Sequence, residues 1–412
     1  MSFNNYKDAI NWLFQQFPSY QTLGSKAYKP DLGNISKLLS ALGNPHQSLK
    51  FIHVAGTNGK GSVCSMLASI LKESGYKTGL FTSPHITDFR ERIRVNGEMI
   101  PDAEVINFCN KITDNQELST LQPSFFEITF AMAIQHFQEE KCDICVIETG
   151  LGGRLDATNI ITPELSIITN ISFDHTDLLG NTLAAIAAEK AGIIKSNIPT
   201  IIGEYNEETF LVFKATCEKM NSNLVVPSTT EISSYKLPFL ANYQKQNFRI
   251  ALTAVKELVK IGYSIDPENI QFGIDQLNTN TGFIGRMQVI QENPKVIVDV
   301  SHNIAGVERT LETMLKINKG RFHIIFGASA DKDHSAIINL FPENCLLSFC
   351  LFSNPRGWNS TMAQKAAEGL TSKVKIFDNI HDALSYHKTI ANQEDTLLIM
   401  GSFFLLSDFF SK

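Results

Sequence analysis

A short glycine-rich segment, Gly56–Ser62 with the sequence GTNGKGS, contains the residues best suited to bind an anion. Glycines let backbone N–H groups converge on an anion, and Lys60 adds a full positive charge beside them. The apolar run Phe51–Ala55 predicts a buried strand before the segment, and apolar residues at helical spacing predict a helix after it. A helix N-terminus adds partial positive charge, so the segment predicts a site for the phosphates of a nucleoside triphosphate.

The segment differs from the general phosphate-loop pattern at two positions. The pattern G-x-x-x-x-G-K-[ST] places a glycine where this chain has Val54 and a hydroxyl where it has Gly61. The hydroxyl comes one place later, at Ser62, so the pattern alone does not make it a magnesium ligand. A glycine-rich turn without a ligand is the alternative, but a lysine between two glycines has little use in such a turn.

Further polar residues lie at the end of one predicted strand or after two others. They are, in chain order, Ser83-Pro84-His85, Glu148 and Asp174-His175. Ligands of open α/β sheets bind beyond the carboxyl ends of the strands, so we expect these side chains and Lys60 at one edge. Hydroxyl and carboxylate oxygens together with bound phosphates suit Mg²⁺. An ordinary hydrogen-bonded histidine is the alternative for His175.

Two charged segments allow an ordinary interpretation as well as a functional one. The run Arg90–Arg94 alternates charges and ends at the turn signal Asn96-Gly97, which is typical of a solvated strand face. Its arginines could equally bind a substrate carboxylate. Glu189 and Lys190 lie in a strongly helical segment, where their spacing indicates no more than a surface ion pair.

Apolar β-rich runs alternate with helical patterns along the chain, which predicts an α/β fold with parallel strands joined by right-handed crossovers. The predicted strands are 51–55, 78–81, 144–148, 165–170, 200–203, 287–291, 296–300, 322–326, 346–352, 374–377 and 396–400. The predicted helices are 6–17, 35–42, 62–73, 103–111, 125–139, 183–192, 305–317, 361–370 and 380–391. The polar segment Asn278–Gly282 is interpreted as a linker, so the predicted domains are 1–283 and 284–412.

Composition limits the partners that the chain is expected to have. With 412 residues, 43% of them hydrophobic and 19% charged, it has the composition of a globular protein. A net charge of −6 argues against general binding of nucleic acid or of a membrane surface. Seven cysteines, an odd number without a signal peptide or a membrane-spanning run, predict reduced thiols in the cytoplasm.

Several motifs together resemble one enzyme family. In this order and spacing, GTNGKGS, SPH, FRERIRVNG, GLGGRLDATN, SFDH and EKAGII are similar to the folylpolyglutamate synthase/dihydrofolate synthase family of the Mur ligase superfamily. The resemblance runs from about Asp31 to Leu406. It implies a large P-loop ATPase-like domain with a mostly parallel sheet and a smaller Rossmann-like α/β domain at the C-terminus.

The resemblance also implies roles for individual residues. The implied ATP contacts are Thr57, Asn58, Gly59, Lys60, Gly61, Ser62, Asn247, Arg286 and Asp299. The implied Mg²⁺ ligands are Ser83, Glu148 and His175, and the implied catalytic residues are Lys60, His175 and Lys190. Lys190 matches a lysine that the family carbamylates and that helps to hold a second Mg²⁺. The implied folate or pteroate contacts are Lys29, Pro30, Asp31, Leu32, Ser124, Phe125, Phe126, Glu127, Leu155, Asp156 and Ala157, and the implied glutamate contacts are His302 and Ser402.

The activity that the resemblance implies is an ATP-dependent ligation in folate biosynthesis. L-Glutamate would be joined to dihydropteroate, to the γ-carboxyl of a reduced folate, or to both, through an acyl phosphate. The implied partners are these small molecules alone, bound by a cytoplasmic monomer. A cell-wall Mur ligase acting on a UDP-muramoyl substrate and a non-catalytic ATP-binding module are the alternatives. One departure concerns the acceptor: the family's L-G-L-E-R element is shortened here to Leu32-Gly33-Asn34-Ile35.

Overall fold

The computed structural model describes residues 2–17, 24, 31–115, 118, 121–228, 231–330, 334–370 and 374–411. The chain divides into two compact units. The larger comprises Met1–His85, Phe89–Pro238 and Gln244–Phe283, and the smaller comprises Ile86–Asp88, Phe239–Tyr243 and Ile284–Lys412. Among the described residues, no helix combines the length and the apolar character that crossing a membrane requires.

The larger unit is built on an eight-stranded sheet. Its strands are β1 Phe51–Ala55, β2 Thr78–Phe81, β3 Ile93–Val95, β4 Glu98–Met99, β5 Ile144–Glu148, β6 Leu165–Ile168, β7 Thr200–Ile202 and β8 Leu224–Val225. They lie in the order β4-β3-β2-β5-β1-β6-β7-β8. The β2–β3 and β3–β4 pairs are antiparallel and the other pairs are parallel. The central strand β1 therefore lies between β5 and β6, and the loops that leave these three strands share one edge of the sheet.

Helices cover this sheet. They are α1 Tyr6–Gln16, α2 Gly33–Ala41, α3 Lys60–Glu73, α4 Asp102–Asp114, α5 Phe125–Glu139, α6 Thr176–Leu179, α7 Leu183–Ala191, α8 Glu207–Lys219, α9 Asn242–Lys260, α10 Pro267–Asp275 and α11 Leu277–Thr281. Helix α3 is buried throughout its middle, from Ser62 to Leu71. Helix α10 packs closely against it, since a Cβ on Gly273 would lie 2.7 Å from Ile70 Cα. The helix that starts at the glycine-rich segment is thus held on all sides.

The smaller unit repeats the α/β plan with six strands. They are β9 Gln288–Glu292, β10 Lys295–Asp299, β11 Phe322–Phe326, β12 Leu346–Cys350, β13 Lys375–Phe377 and β14 Thr396–Met400, in the order β13-β12-β11-β14-β10-β9. Only β9 runs antiparallel to its neighbour in this sheet of described strands. The accompanying helices are α12 Ile304–Ile317, α13 His334–Ile338, α14 Ser360–Glu368, α15 Ile380–Ile390 and α16 Phe403–Phe410.

The structure confirms the predicted fold class, a large, mostly parallel α/β unit followed by a smaller one. The linker predicted at Asn278–Gly282 is wrong, because helix α11 occupies it. The Asn280 side chain donates to Ser69 Oγ at 3.0 Å and to Glu73 Oε1 at 2.7 Å. Asn280 is therefore used for packing against α3, while Asn278 and Thr279 are exposed on the same helix.

The prediction that the run Arg90–Arg94 forms a solvated strand face is also wrong for the residue at the centre of the run. Arg92 is 3% exposed and ends a 3₁₀ turn, Phe89–Arg92, just before β3. Its Nε donates to His85 Nδ1 at 2.8 Å, and its guanidinium lies 5.5 Å from the centre of the Phe125 ring. The arginine is therefore a buried cation on the larger unit's core.

Candidate functional site

The glycine-rich segment forms a tight loop between β1 and α3. Gly56 and Gly59 have φ values of 148° and 82°, which favour glycine. A Cβ on Gly56 would lie 1.8 Å from Thr169 Oγ1, and one on Gly59 would lie 2.4 Å from Asn247 Oδ1. Both glycines are therefore required by backbone conformation and by the close approach of neighbouring side chains.

Residues after β6 brace this loop. Asn58 N donates to Asn170 Oδ1 at 3.0 Å, and Asn170 Nδ2 donates back to Asn58 O at 3.1 Å. Thr169 Oγ1 donates to the same Asn58 carbonyl at 2.6 Å, and Thr57 Oγ1 donates to Ser172 O at 3.1 Å. The sequence analysis missed Thr169 and Asn170 because it placed both inside the predicted strand 165–170, whereas β6 ends at Ile168.

Two lysines converge on one carbonyl of the loop. Lys60 Nζ donates to Gly56 O and to Thr57 O, each at 3.2 Å, and Lys190 Nζ donates to Gly56 O at 2.9 Å. Lys190 is 4% exposed, and burial together with the nearby charge of Lys60 lowers the pKa of Lys190 to about 7. The interpretation of Lys190 as part of a surface ion pair is therefore wrong. The two amines and the N-terminus of α3 form a cationic site suited to phosphates.

The helix that carries Lys190 is locked to the loop after β5. Arg154 N donates to Glu189 O at 2.7 Å, and the Arg154 side chain pairs with Glu189 Oε1 at 2.8 Å. A Cβ on Gly153 would lie 2.8 Å from Glu189 O, and one on Gly192 would lie 2.3 Å from Arg154 Cα. Backbone therefore lies directly against backbone where α7 meets this loop.

The predicted metal ligands lie at the ends of three strands or in the loops that follow. Glu148, at the end of β5, is 4% exposed and accepts a hydrogen bond from Ser83 N at 3.0 Å. His175, directly before α6, has a left-handed φ of 51°. The backbone N–H of His175 donates to Asp174 Oδ1 at 2.9 Å. The structure thus joins Ser83 to Glu148 and His175 to Asp174. Within the described ranges, no cluster of three or more His, Cys, Asp or Glu residues suits a metal ion.

Two predicted nucleotide contacts are linked by a residue that the sequence analysis missed. Ser62 is 3% exposed and accepts a hydrogen bond from Gln244 Nε2 at 3.3 Å. Asn247, one helical turn along α9, donates to Gln244 Oε1 at 3.0 Å. Helix α9 therefore holds Asn247 close to the loop at Gly59, while Gly61 continues the first turn of α3.

The predicted pteroate contacts at the start of α5 are partly occupied by helix capping. Glu127 N donates to Ser124 Oγ at 3.2 Å, and Ser124 N donates to Glu127 Oε2 at 2.6 Å, which is a capping box. Phe125 is buried and stacks at 4.7 Å on Phe14, which the sequence analysis missed. Phe126 is half-buried, and a Cβ on Gly150 would lie 2.7 Å from its ring.

The other predicted pteroate contacts lie before α2 and after β5. Lys29 and Pro30 fall outside the described residues. Asp31 accepts a hydrogen bond from Gly33 N at 2.9 Å, and Leu32 between them is the N-cap residue of α2. Asp156 is buried between the half-buried Leu155 and the buried Ala157. Burial raises the pKa of its carboxyl, although hydrogen bonds from its own loop oppose this.

In the smaller unit, Asp299 has its carboxylate fully surrounded by donors. Oδ2 accepts from Tyr243 Oη and from Met287 N, each at 2.8 Å. Oδ1 accepts from Ser301 N at 2.8 Å and from Thr310 Oγ1 at 3.2 Å. Tyr243 and Thr310 were not identified from the sequence. The network fixes the end of β10.

The remaining predicted residues of the smaller unit lie near Phe403. His302 Nδ1 donates to Val300 O at 2.9 Å, so in the neutral ring Nε2 is an acceptor. The His302 ring lies 5.8 Å from the Phe403 ring, and the Arg286 guanidinium lies 5.1 Å from it. Ser402 caps α16 by accepting a hydrogen bond from Phe404 N at 3.1 Å.

Comparison with known proteins gives a consistent result. Residues 54–264 match the Mur ligase middle domain, and residues 285–403 match the Mur ligase glutamate ligase domain. The chain is 32% identical to the dihydrofolate synthase/folylpolyglutamate synthase of Bacillus subtilis, with 98% of each chain covered. It is 32% identical to the protein of that name from Escherichia coli, covering 93% of this chain and 91% of that one.

Solved structures agree. Escherichia coli FolC in complex with DHPP and ADP superposes with a TM-score of 0.83 at 28% identity, covering 98% of this chain and 96% of that one. Folylpolyglutamate synthase from Thermotoga maritima gives a TM-score of 0.79 at 29% identity, covering 98% of this chain and 95% of that one.

Proposed function

The chain belongs to the dihydrofolate synthase/folylpolyglutamate synthase family of ATP-dependent Mur-type ligases, and from this premise we propose how its residues act. We propose that it joins L-glutamate to dihydropteroate, to a reduced folate, or to both. The observation that supports this most is the convergence of Lys60 and Lys190 on the Gly56 carbonyl, beside the braced loop. Lys60 and the helix N-terminus there favour a polyphosphate, and Lys190 lies beside them at the position of the modification proposed below.

The proposed reaction has two steps. A carboxylate oxygen of the acceptor attacks the γ-phosphorus of ATP, and the bond from that phosphorus to ADP breaks to give an acyl phosphate. The amino nitrogen of glutamate then attacks the acyl carbon, phosphate leaves, and the nitrogen loses a proton. We assign Lys60 to neutralising charge on the transferred phosphoryl group, a role in which positioning and electrostatics dominate.

Mg²⁺ is part of the proposal. Glu148 supplies a buried carboxylate next to Ser83 at the end of β5, and His175 and Asp174 lie after β6, on the other side of β1. These donors and bound phosphates fit an ion that prefers oxygen ligands, which would supply charge neutralisation on the phosphates. We assign Ser83, Glu148 and His175 as its ligands.

Carbamylation of Lys190 is also proposed. Its pKa of about 7 makes much of the amine neutral near pH 7, and only a neutral amine adds to CO₂. The product carries a carboxylate-like anion, so the modification would replace a positive group by a negative one that suits a second Mg²⁺.

The proposal assigns the glutamate substrate to residues of the smaller unit. His302, which is oriented by its Nδ1 donating to Val300 O at 2.9 Å, is proposed as a contact for the glutamate. Ser402 is proposed as a second contact, and Arg286 and Asp299 as nucleotide contacts. We further propose that the enzyme works as a monomer in the cytoplasm, which its seven buried free cysteines support.

The test is ADP release with ATP, Mg²⁺ and glutamate, offering dihydropteroate and tetrahydrofolate in parallel. We expect ADP only when glutamate and at least one acceptor are both present. ADP release that requires a UDP-muramoyl acceptor instead would make the chain a cell-wall ligase. ATP binding without any glutamate-dependent ADP release would make it a non-catalytic module.

A further inference from the structure

The loop after β5 is organised around one buried carboxylate. Asp156 is 3% exposed and caps the 3₁₀ turn Ala157–Ile160. Its Oδ2 accepts from Leu151 N at 2.7 Å, and its Oδ1 accepts from Thr158 N at 3.0 Å and from Thr158 Oγ1 at 2.5 Å. The conformation of residues 151–158 therefore depends on where this carboxylate is held.

A histidine on β1 supports the Asp156 carboxylate through the hydroxyl of Thr158. His53 is fully buried, and its Nε2 lies 2.8 Å from Thr158 Oγ1. The threonine hydroxyl has one proton, which it gives to Asp156, so it must accept from His53. His53 is therefore protonated at Nε2. The result is a directed chain from imidazole N–H to hydroxyl to carboxylate.

The position of His53 connects two parts of the site. It lies three residues before Gly56, opposite Ile147 of β5 and Ser166 of β6. The strand that leads into the phosphate-binding loop thus also carries the donor that supports the loop of Asp156. A second bond, from Lys195 Nζ to Asn159 O at 2.9 Å, holds the following turn.

The other ring nitrogen argues against a purely space-filling role. His53 Nδ1 is buried and has no hydrogen-bond partner among the described residues. A buried acceptor without a partner is unfavourable, and leucine would fill similar volume without that penalty. Burial also lowers the pKa of His53 to about 3, which agrees with a neutral ring near pH 7.

We propose that His53 is a positioning residue for the acceptor substrate, acting through Thr158 on Asp156 and the loop 151–158. The proposal rests on the assignment of Leu155–Ala157 to the pteroate moiety of the acceptor. His53 itself touches no substrate. Its N–H fixes the hydroxyl, the hydroxyl fixes the carboxylate, and the carboxylate sets the shape of the loop.

Three variants of the full-length enzyme test this: His53→Leu, Thr158→Val and His53→Gln. Leucine removes the donor, valine removes the hydroxyl with little change in shape, and glutamine keeps an N–H at a similar reach. For the first two we expect KM for the pteroate acceptor to rise about tenfold, with KM for ATP unchanged within twofold. His53→Gln should recover most of the lost affinity.

Two further measurements separate positioning from stability. The double variant His53→Leu/Thr158→Val should lose no more acceptor affinity than either single variant, because both break one chain. His136→Leu, at another buried histidine, is the matched control and should leave both KM values unchanged. If His53→Leu does not fold, Thr158→Val carries the test alone.

A spectroscopic readout is independent of activity. The ¹⁵N shifts of His53 in the wild-type enzyme should show a protonated Nε2 and an unprotonated Nδ1. The opposite tautomer, an unchanged acceptor KM in Thr158→Val, or equal increases in both KM values would overturn the inference. A wild-type enzyme that turns over no pteroate acceptor would instead overturn the proposed function, and the tautomer would still be measurable.

Discussion

The carboxyl edges of the two sheets differ in how well their buried charged groups are compensated by hydrogen-bond partners. At the end of β1, Lys60 and Lys190 both donate to one neutral carbonyl, and the pKa of Lys190 falls to about 7. At the end of β10, Asp299 accepts four hydrogen bonds from its own unit. The first edge is electrostatically unfavourable as it stands, and the second is satisfied.

Because of this difference, the first edge gains more from binding an anion than the second gains from a ligand contact. Two amines held together are stabilised when negative charge arrives, either as a phosphate at Lys60 or as a carbamate on Lys190, so ligand binding and modification offset the cost of building the first edge. The Asp299 carboxylate is already stabilised by four donors, so the proposed nucleotide contact would be made by a group that the protein itself holds in place. The sharpest tests therefore compare losses of turnover at the first edge with losses of stability in the smaller unit.

The largest effect is expected for Lys60→Ala. Removing the ammonium should lower glutamate-dependent ADP release by about 1,000-fold, since charge on the phosphoryl group is then unopposed. The unfolding temperature should stay close to that of the wild type. Lys50→Ala is the control, because that side chain is 61% exposed, and it should keep full activity. If Lys60→Ala kept activity within tenfold of the wild type, the end of β1 would not be the phosphate-binding edge that this comparison requires.

Lys190→Ala should be the next most severe change. We expect a loss of about 100-fold, partly restored by acetate or formate, which return a carboxylate to the space that alanine leaves. Wild-type enzyme under ¹³CO₂ should show a carbamate signal in its ¹³C spectrum that the variant lacks. Full activity in the variant, or no restoration by either acid, would remove Lys190 from the mechanism.

Stability of the smaller unit should depend on pH through two buried histidines. His323 Nδ1 and His387 Nδ1 lie 2.9 Å apart, and His387 Nε2 lies 2.8 Å from Ser348 Oγ. Burial and the neighbouring His323 and Lys375 lower the pKa of His387 to about 4. Burial also lowers the pKa of His323, against the opposing effect of Asp395 and alongside that of Arg321.

The sign of this dependence follows from the lowered pKa values. Below pH 6.5 these histidines are protonated in the unfolded chain but stay neutral in the folded unit. The free energy of unfolding therefore falls as the pH drops towards 4. For His387 the loss is about 3 kcal/mol, with none above pH 7. Fluorescence of the buried Trp358 in a Trp12→Phe background measures it. His387→Phe should make the free energy of unfolding depend less on pH between 4 and 6.5. An unchanged pH dependence would show that His387 is not its cause.

The smallest effect is expected for Tyr243→Phe. It removes one of four donors to Asp299, so the free energy of unfolding should fall by about 1–2 kcal/mol in a urea titration. Turnover should drop less than tenfold, because three donors still hold the carboxylate. A loss of turnover as large as that of Lys60→Ala would abolish the distinction between the two edges.

The sequence was most informative where the signal is local. The strand, glycine turn and helix of residues 51–73 follow from periodicity and glycine placement, and the order of strands and helices predicted the α/β class. Polar residues that become buried through distant partners were not predicted. Asn280 resembles a linker residue until α3 is beside it, and Arg92 resembles a solvated residue until His85 and Phe125 surround it.

The candidate site shows the same limit. The glycine loop, Glu148 and Lys190 were identified from motifs, whereas Thr169, Asn170 and Gln244 were not, because their role is to hold other residues. His53 lies within an apolar run and gives no separate signal. Its partner, Thr158, is 105 positions away in the chain.

The contact of Gly153 and Gly192 with opposing backbone restricts how this enzyme can be engineered. A side chain at either position would force apart the chain segments that align Lys190 with the nucleotide loop. A mutant library aimed at new acceptors should therefore leave both glycines unchanged and place its diversity at the half-buried Leu155 and Phe126. Under selection for turnover, we expect sequence drift at those two positions long before it appears at the glycines.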